Sequence, residues 1–305
     1  MSQPTSAASR PVNTPVVIDY LILIGLALIW GSSYILIKKG LAVFSPGQVA
    51  TLRLGISAIA LAPLAYNHFK RIERAQIPLL IVIGLTGTAL PSFLFPFAQT
   101  ELSSSLTGML SGLTPLCTFI LAYLFFNTRD AGRGQFVGVL LGLGGAALLA
   151  WAAPGEAGKT TQFAFAGFIL LACFCYALSS NIVAAKFRDL PSLTITVCSF
   201  FLVGVPAIIW ALTAGAVVET VAQAGEAGWW ALGYVSILAV LSTVVASIIF
   251  FRMVQRTGAV FSSTVSYIVP LVALTWGLAD GESFVWLQIP AIVLVLTGVA
   301  LSRRK

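Results

Sequence analysis

Ser111-Gly112-Leu113-Thr114-Pro115-Leu116 and Ser266-Tyr267-Ile268-Val269-Pro270-Leu271 carry serine, proline and leucine in one register, once in each half of the chain. Extending that register lays Ser92 against Ser247 and Glu101 against Arg256, and a two-residue shift then sets Gln135 on Gln288 and Gly145 on Gly298. At the front of each half, Leu26-Ala27 leads to Trp30 and Ser33, and Leu171-Ala172 leads to Tyr176 and Ser179. Leu, Gly and Ser are common in membrane helices, so no single match decides; the shared order over helix one and helices three to five of each half argues for duplication. The unit that repeats holds five apolar runs. An odd-numbered unit must enter the membrane the second time from the opposite side, which predicts an inverted repeat about an axis in the membrane plane.

The 305 residues are 58% hydrophobic and 9% charged, with mean hydropathy +0.98, too apolar for a soluble globular domain. Barrel-type alternation is absent, so the expected fold class is an all-α integral membrane protein of ten transmembrane helices in two inverted five-helix repeats. The net charge of +7 does not point to nucleic acid, because the basic residues lie scattered in short loops beside the spans. Cys117, Cys173, Cys175 and Cys198 all fall in apolar segments and read as small core hydrophobes. The spacing of Cys173 and Cys175 turns them to different helix faces, against a shared metal.

Read against proline, glycine and charge punctuation, the apolar runs predict helices near 18–39, 47–66, 77–98, 101–124, 133–152, 163–186, 191–213, 228–251, 256–277 and 284–301. Residues 1–17 are expected to form a disordered cytosolic tail, 18–152 the first repeat, 153–162 a linker and 163–305 the second repeat. Very short connections are expected around Gln99–Thr100 and Arg252–Arg256. One set of alternate loops holds Arg10, Lys70, Arg71, Arg74, Arg129, Arg133, Lys186, Arg188, Arg252, Arg256, Arg303, Arg304 and Lys305. The other holds only Lys38, Lys39 and Lys159. This positive-inside bias predicts both termini in the cytosol.

Leu28-Ile29-Trp30-Gly31-Ser32-Ser33-Tyr34 resembles the first-helix signature of the drug/metabolite transporter superfamily, EamA type. Ala98 with Ser103-Ser104-Ser105 and Leu113-Thr114-Pro115 resembles its helix three to four segment, and Pro270 with Gly281-Glu282 the second-half counterpart. The similarity covers essentially the whole chain and is closest to YddG-like exporters of aromatic and other neutral amino acids. The resemblance implies a secondary transporter of a bacterial inner membrane that works by alternating access on a small-molecule substrate, neutral amino acids such as phenylalanine and threonine. It also implies a monomer or weak homodimer, no cofactor, and a central cavity lined by helices 1, 3, 4, 6, 8 and 9 and braced by 2, 5, 7 and 10. One departure is Arg129-Asp130, which stands where the family often has a Glu matching Glu282. Exporters of drugs and other metabolites share the same motifs.

The residues themselves nominate the site. Trp30 lies roughly 18 Å along helix one and Tyr176 roughly 20 Å along helix six, at the rise of about 1.5 Å per residue, so both fall near mid-depth. Aromatic residues with polar edges at that depth call for a polar partner or a cavity. Ser32, Ser33 and Tyr34 offer polarity beside Trp30, as Ser179, Ser180 and Asn181 do beside Tyr176, with interhelical hydrogen bonding as the plainer role. On helix three, Pro91 and Pro96 free backbone carbonyls around Ser92, Phe93, Phe95 and Phe97, and Phe95 is a candidate wall for a large neutral side chain. Ser111, Ser242, Ser247 and Tyr267 complete the candidate cavity, and Pro115 and Pro270 are candidate kinks for gating. The glycines of helix five, Gly138, Gly142, Gly144 and Gly145, read as a packing stripe.

Charge within the spans is scarce. Arg53 in helix two reads as a snorkelling residue and Glu101 as an outer-junction acid, and both are candidates for charge coupling. His68 is read as solvated in a basic loop, so a membrane-embedded enzyme lacks its expected acid cluster or Ser/His pair. A channel would call for a charge ring or a filter motif, and neither is seen. Polar groups at mid-depth point to a small solute without large net charge.

Overall fold

The computed structural model describes residues 15–126, 133–152 and 159–302, and those residues are helical without a strand. Most of the expected tail, the Arg129-Asp130 pair, linker residues 153–158 and the C-terminal basic residues lie outside them. Ten membrane helices follow one another: α1 (Val17–Leu41), α2 (Pro46–Phe69), α3 (Arg74–Ala98), α4 (Ser104–Phe125), α5 (Arg133–Trp151), α6 (Lys159–Lys186), α7 (Ser192–Thr213), α8 (Glu226–Thr257), α9 (Ala259–Ala279) and α10 (Gln288–Ser302). Eight are long and apolar enough to cross a bilayer, while α5 and α10 carry shorter apolar stretches, Val137–Trp151 and Gln288–Gly298. This is the all-α integral membrane architecture of two five-helix repeats.

Local chemistry sets the helix boundaries. Ser45 caps α2 by accepting from the Gln48 N–H, Gln48 reciprocates to the Ser45 N–H, and Pro46 opens the first turn. The Gln48 amide nitrogen also donates to the Gly215 carbonyl and the Thr220 hydroxyl, at 2.8 and 2.9 Å. It thereby ties α2 to a short helix, Val217–Ala224, that the sequence reading lacked because eight residues cannot span a membrane. Ser103 caps α4, which places Glu101 in an exposed turn instead of the helix start expected at 101. α8 runs through Thr257, so Arg252 and Arg256 are helical. The chain reverses at Gly258, whose φ of 86° favours glycine. His68 is a further correction: it sits in the last turn of α2, buried, with Nδ1 2.8 Å from the Thr194 hydroxyl of α7.

Two helix pairs brace the assembly, α2 with α7 and α5 with α10. Both rely on close backbone approach. A Cβ at Gly204 of α7 would lie 2.6 Å from the Ala58 Cβ, and one at Gly298 of α10 would meet the Gly142 nitrogen and the Gly138 carbonyl of α5. Gly145 likewise abuts the α10 backbone at Ala291 and Val295, whereas Gly144 faces open space and is no part of the contact.

The interior helices are interrupted. α3 contains a π-helical turn at Leu85–Ala89 and α8 a longer one at Leu238–Val245. α4 breaks at Gly112-Leu113 before resuming at Thr114-Pro115, and α9 passes through a 3-10 turn, Ser263–Tyr267, before resuming at Val269-Pro270. Pro91 explains the first π turn in part, because it has no N–H to return to the Gly87 carbonyl. The four interruptions fall at matching places in the two repeats, and π turns inside helices gather at functional sites.

Candidate functional site

The interruptions surround one cavity of about 90 Å³. α1 contributes Trp30, Ser33, Tyr34 and Ile37; α3 Gly87, Thr88 and Phe95; α4 Ser111 and Thr114; α6 Tyr176, Ser179 and Ser180. α8 adds Ser242, Thr243, Ser247, Phe250 and Phe251, and α9 adds Ser263, Val265, Ser266 and Val269. Of the residues nominated from sequence, Trp30, Ser33, Tyr34, Phe95, Ser111, Tyr176, Ser180, Ser242 and Ser247 thus stand around one space.

Two nominated residues do not. Ser92 is fully buried beside the cavity without lining it, and its hydroxyl has no partner; Tyr267 packs against the main apolar core at the end of its 3-10 turn. Both are corrections: Ser92 shares its α3 face with Thr88 and Phe95, which line the space while Ser92 itself is fully buried, and the tight α9 turn carries Ser266 inward instead of Tyr267. Ser32 and Asn181 also leave the site. Ser32 accepts from the Trp276 indole at 2.8 Å, and the Asn181 amide donates across to the Thr118 carbonyl of α4 and back to the Ala177 carbonyl of its own helix. Among the candidate kinks, Pro91 follows the π turn, Pro96 lies inside the last segment of α3, and Pro115 and Pro270 open the resumed segments of α4 and α9.

The walls are aromatic. Phe95 stacks on Tyr176 with ring centroids 5.9 Å apart and meets Tyr34 edge-on at 5.6 Å. Trp30 meets Phe250 edge-on at 5.0 Å. Phe93 and Phe97 point outward instead, each more than two-fifths exposed. The Trp30 indole donates to the Ser242 carbonyl at 2.9 Å, so its polar edge is satisfied by the π turn of α8. That turn is also held from α2, whose Ser57 hydroxyl lies 3.2 Å from the Ala239 carbonyl, while within the turn Thr243 back-bonds to the Leu238 carbonyl at 3.1 Å. A π turn leaves backbone carbonyls unmatched, and side chains from α1 and α2 take them up.

Arg53 differs most from expectation. It does not snorkel; it is 6% exposed, lines the cavity, and donates from Nε to the Thr243 hydroxyl at 2.7 Å. α2 is therefore more than a brace. Glu101, paired with Arg53 in the expected coupling role, sits in its exposed turn away from the cavity. The acids that matter structurally lie at the ends. Lys38 bonds Asp280 and Glu282 at 2.7 and 2.8 Å, and Arg256 bonds Asp19 at 2.6 Å. Burial pushes the Glu282 carboxyl up, but hydrogen bonds from Lys38, Ser105 and Ser104 outweigh it and hold the group down at about 2. No sequence signal separated these acids from solvated ones, because their partners come from the other repeat.

The family model described as the EamA-like transporter family matches residues 17–151 and again 165–304. YdfC of Bacillus subtilis, an uncharacterized transporter, is 25% identical over 95% of this chain and 89% of its own. YedA of Escherichia coli, an uncharacterized inner membrane transporter, is 23% identical over 92% of this chain and 90% of its own. A WAT1-related protein of Arabidopsis thaliana is 33% identical, but only over 45% of this chain and 39% of its own length. One protein of known crystal structure superposes over 95% of this chain and 97% of its own, with a TM-score of 0.64 at 16% identity, a likeness of fold.

Proposed function

The chain belongs to the EamA-like transporter family, and from that premise we propose that it is a secondary transporter of a bacterial inner membrane, moving small neutral or zwitterionic metabolites. Amino acids with aromatic or other neutral side chains, exported by alternating access, are the favoured cargo. Both termini then lie in the cytoplasm, as the distribution of Lys and Arg favours.

The observation that carries this reading is the cavity where the two repeats meet. Trp30 and Ser33 of the first repeat, and Tyr176 and Ser179 of the second, occupy corresponding helices and face the same space. Sites at the repeat interface, beside interrupted helices, are what a rocking carrier needs, because either half can then open the site to one side. Aromatic walls suit an apolar solute body, and hydroxyls with spare backbone carbonyls suit a polar head.

The test is counterflow in proteoliposomes of the full chain, with labelled phenylalanine, threonine and a cationic dye, each with and without a pH gradient. Saturable accumulation of phenylalanine and threonine supports the proposal. Flux of all three without saturation, or of the dye alone, sinks it. A response to the pH gradient would add proton coupling.

A further inference from the structure

Arg53 is the only charged residue among those lining the cavity, and the cavity has no acid to balance it. A buried charge is costly unless paired. Among the described residues no carboxylate lies within ion-pair distance of it. The ion pairs there lie toward the helix ends, on Lys38, Lys39 and Arg256. What the protein supplies is neutral: Nε is spent on the Thr243 hydroxyl. That anchoring orients the guanidinium and leaves the fork of its two terminal nitrogens for a planar, two-oxygen partner.

Two further observations point the same way. Thr88 and Ser179 line the cavity, and their hydroxyls are buried with no hydrogen-bond partner. Thr88 and Thr243 also occupy matching places in the register that aligns Pro115 with Pro270, both on π turns, yet only Thr243 has a cation upon it. Interhelical hydrogen bonding alone would not require a permanent charge at one of two equivalent positions.

We propose that Arg53 is the carboxylate-recognising residue of this cavity, and that its solutes are small monocarboxylates with an apolar or aromatic body, an α-amino group being dispensable. The carboxylate takes the terminal nitrogens of Arg53, while Phe95, Tyr34, Tyr176 and Trp30 face the body. An ammonium group meets no opposite charge there, so amines lacking a carboxylate are rejected. This deepens the proposed function and rests on its reading of the cavity as the transport site.

Binding and transport are measured separately. Purified full-length protein in detergent is titrated with phenylpyruvate, phenylalanine and phenethylamine, following thermal stabilisation. Wild type should bind both carboxylates and favour each over phenethylamine by more than about tenfold, the worth of one or two charge-assisted hydrogen bonds. R53Q should abolish that preference. Should R53Q fail to fold, R53K, which keeps the charge but loses the fork, and T243V, which keeps the guanidinium but loses its anchor, should each weaken carboxylate binding several-fold without helping the amine.

Equal binding of phenethylamine and phenylpyruvate, binding of none of the three probes, or an unchanged preference in R53K and T243V overturns the proposal. Counterflow of labelled phenylalanine then separates the two readings. Arg53-dependent binding without counterflow overturns the transport function and leaves carboxylate recognition standing; counterflow without carboxylate preference does the reverse.

Discussion

Glu282 accepts two hydrogen bonds from Ser105, one from its backbone N–H at 2.9 Å and one from its hydroxyl at 2.6 Å. Its other oxygen does the same with Ser104, at 3.0 and 2.7 Å, and also takes Lys38. The α4 N-terminus is thus closed by a carboxylate from beyond α9, in the opposite repeat, where the helix dipole favours negative charge.

A pH prediction follows from that closure. Glu282 is held at about 2, below its ordinary 4.5, so its stabilisation is fully present above about 4.5 and fades as pH falls toward 2. E282Q keeps the shape but loses the charge, and should cost about 1.5–3 kcal/mol at neutral pH, the worth of hydrogen bonds to an ionised group. The melting-temperature gap between wild type and E282Q, measured in detergent from pH 7 down to 3, should narrow on the acid side. A gap that is constant or widens would show that the carboxylate charge is not what closes α4.

The α5–α10 contact makes a second prediction, because it distinguishes glycines that look alike in sequence. Gly298 has no room for a methyl group, since its Cβ would lie 2.3 Å from the Gly142 nitrogen, whereas Gly144 has nothing within 4 Å. G298A must push two backbones apart and should lower the melting temperature by several degrees. G144A should leave it nearly unchanged. Equal effects from the two substitutions would mean that α5 presents a different face to α10.

Trp30 and Tyr176 supply the third prediction. Trp30 holds the α8 π turn through Ser242 and packs on Phe250, and Tyr176 stacks on Phe95. W30A and Y176A should each lower counterflow about tenfold or more while leaving a folded, monodisperse protein, because both remove cavity wall from a scaffold braced elsewhere, by α2 with α7 and α5 with α10. W30F keeps an aromatic ring but loses the N–H donor and the second ring of the indole, and should fall between wild type and W30A. Full transport in both alanine variants would remove these rings from the solute's path.

The ten helices were legible in the sequence because a bilayer demands long apolar runs whatever the tertiary contacts, and the proline register already marked where α4 and α9 break. What stayed hidden depends on helix rotation. Arg53 near the start of an apolar helix reads as a snorkelling side chain, and its inward aim follows from how Leu54 and Ala58 seat against Gly204 of α7, a contact made far along the chain. His68 seemed solvated beside Lys70 and Arg71 for the same reason, since its partner Thr194 belongs to the other repeat. The π turns leave no composition signal: Leu238–Val245 contains no proline, and side chains from α1 and α2 bond its spare carbonyls.

α1 is tied to the second repeat at both ends, by Lys38 to Asp280 and Glu282 and by Asp19 to Arg256, and this supports the last prediction. A carrier that rocks must release one tie to open that side while keeping the other. Asp19 is 2% exposed and accepts both the Arg256 guanidinium and the Val16 N–H, so D19N removes a buried negative charge and leaves Arg256 without its ion-pair partner. D19N should therefore favour opening at the Asp19 end. A cysteine placed at Ser263, which lines the cavity from the first turns of α9, should react with a membrane-impermeant maleimide several-fold faster in D19N than in wild type. The four native cysteines are buried and give the background rate in protein without the S263C change. If D19N leaves the S263C rate unchanged while E282Q raises it, the two ties have the opposite assignment. If neither changes it, the ties are structural and some other contact sets which side is open.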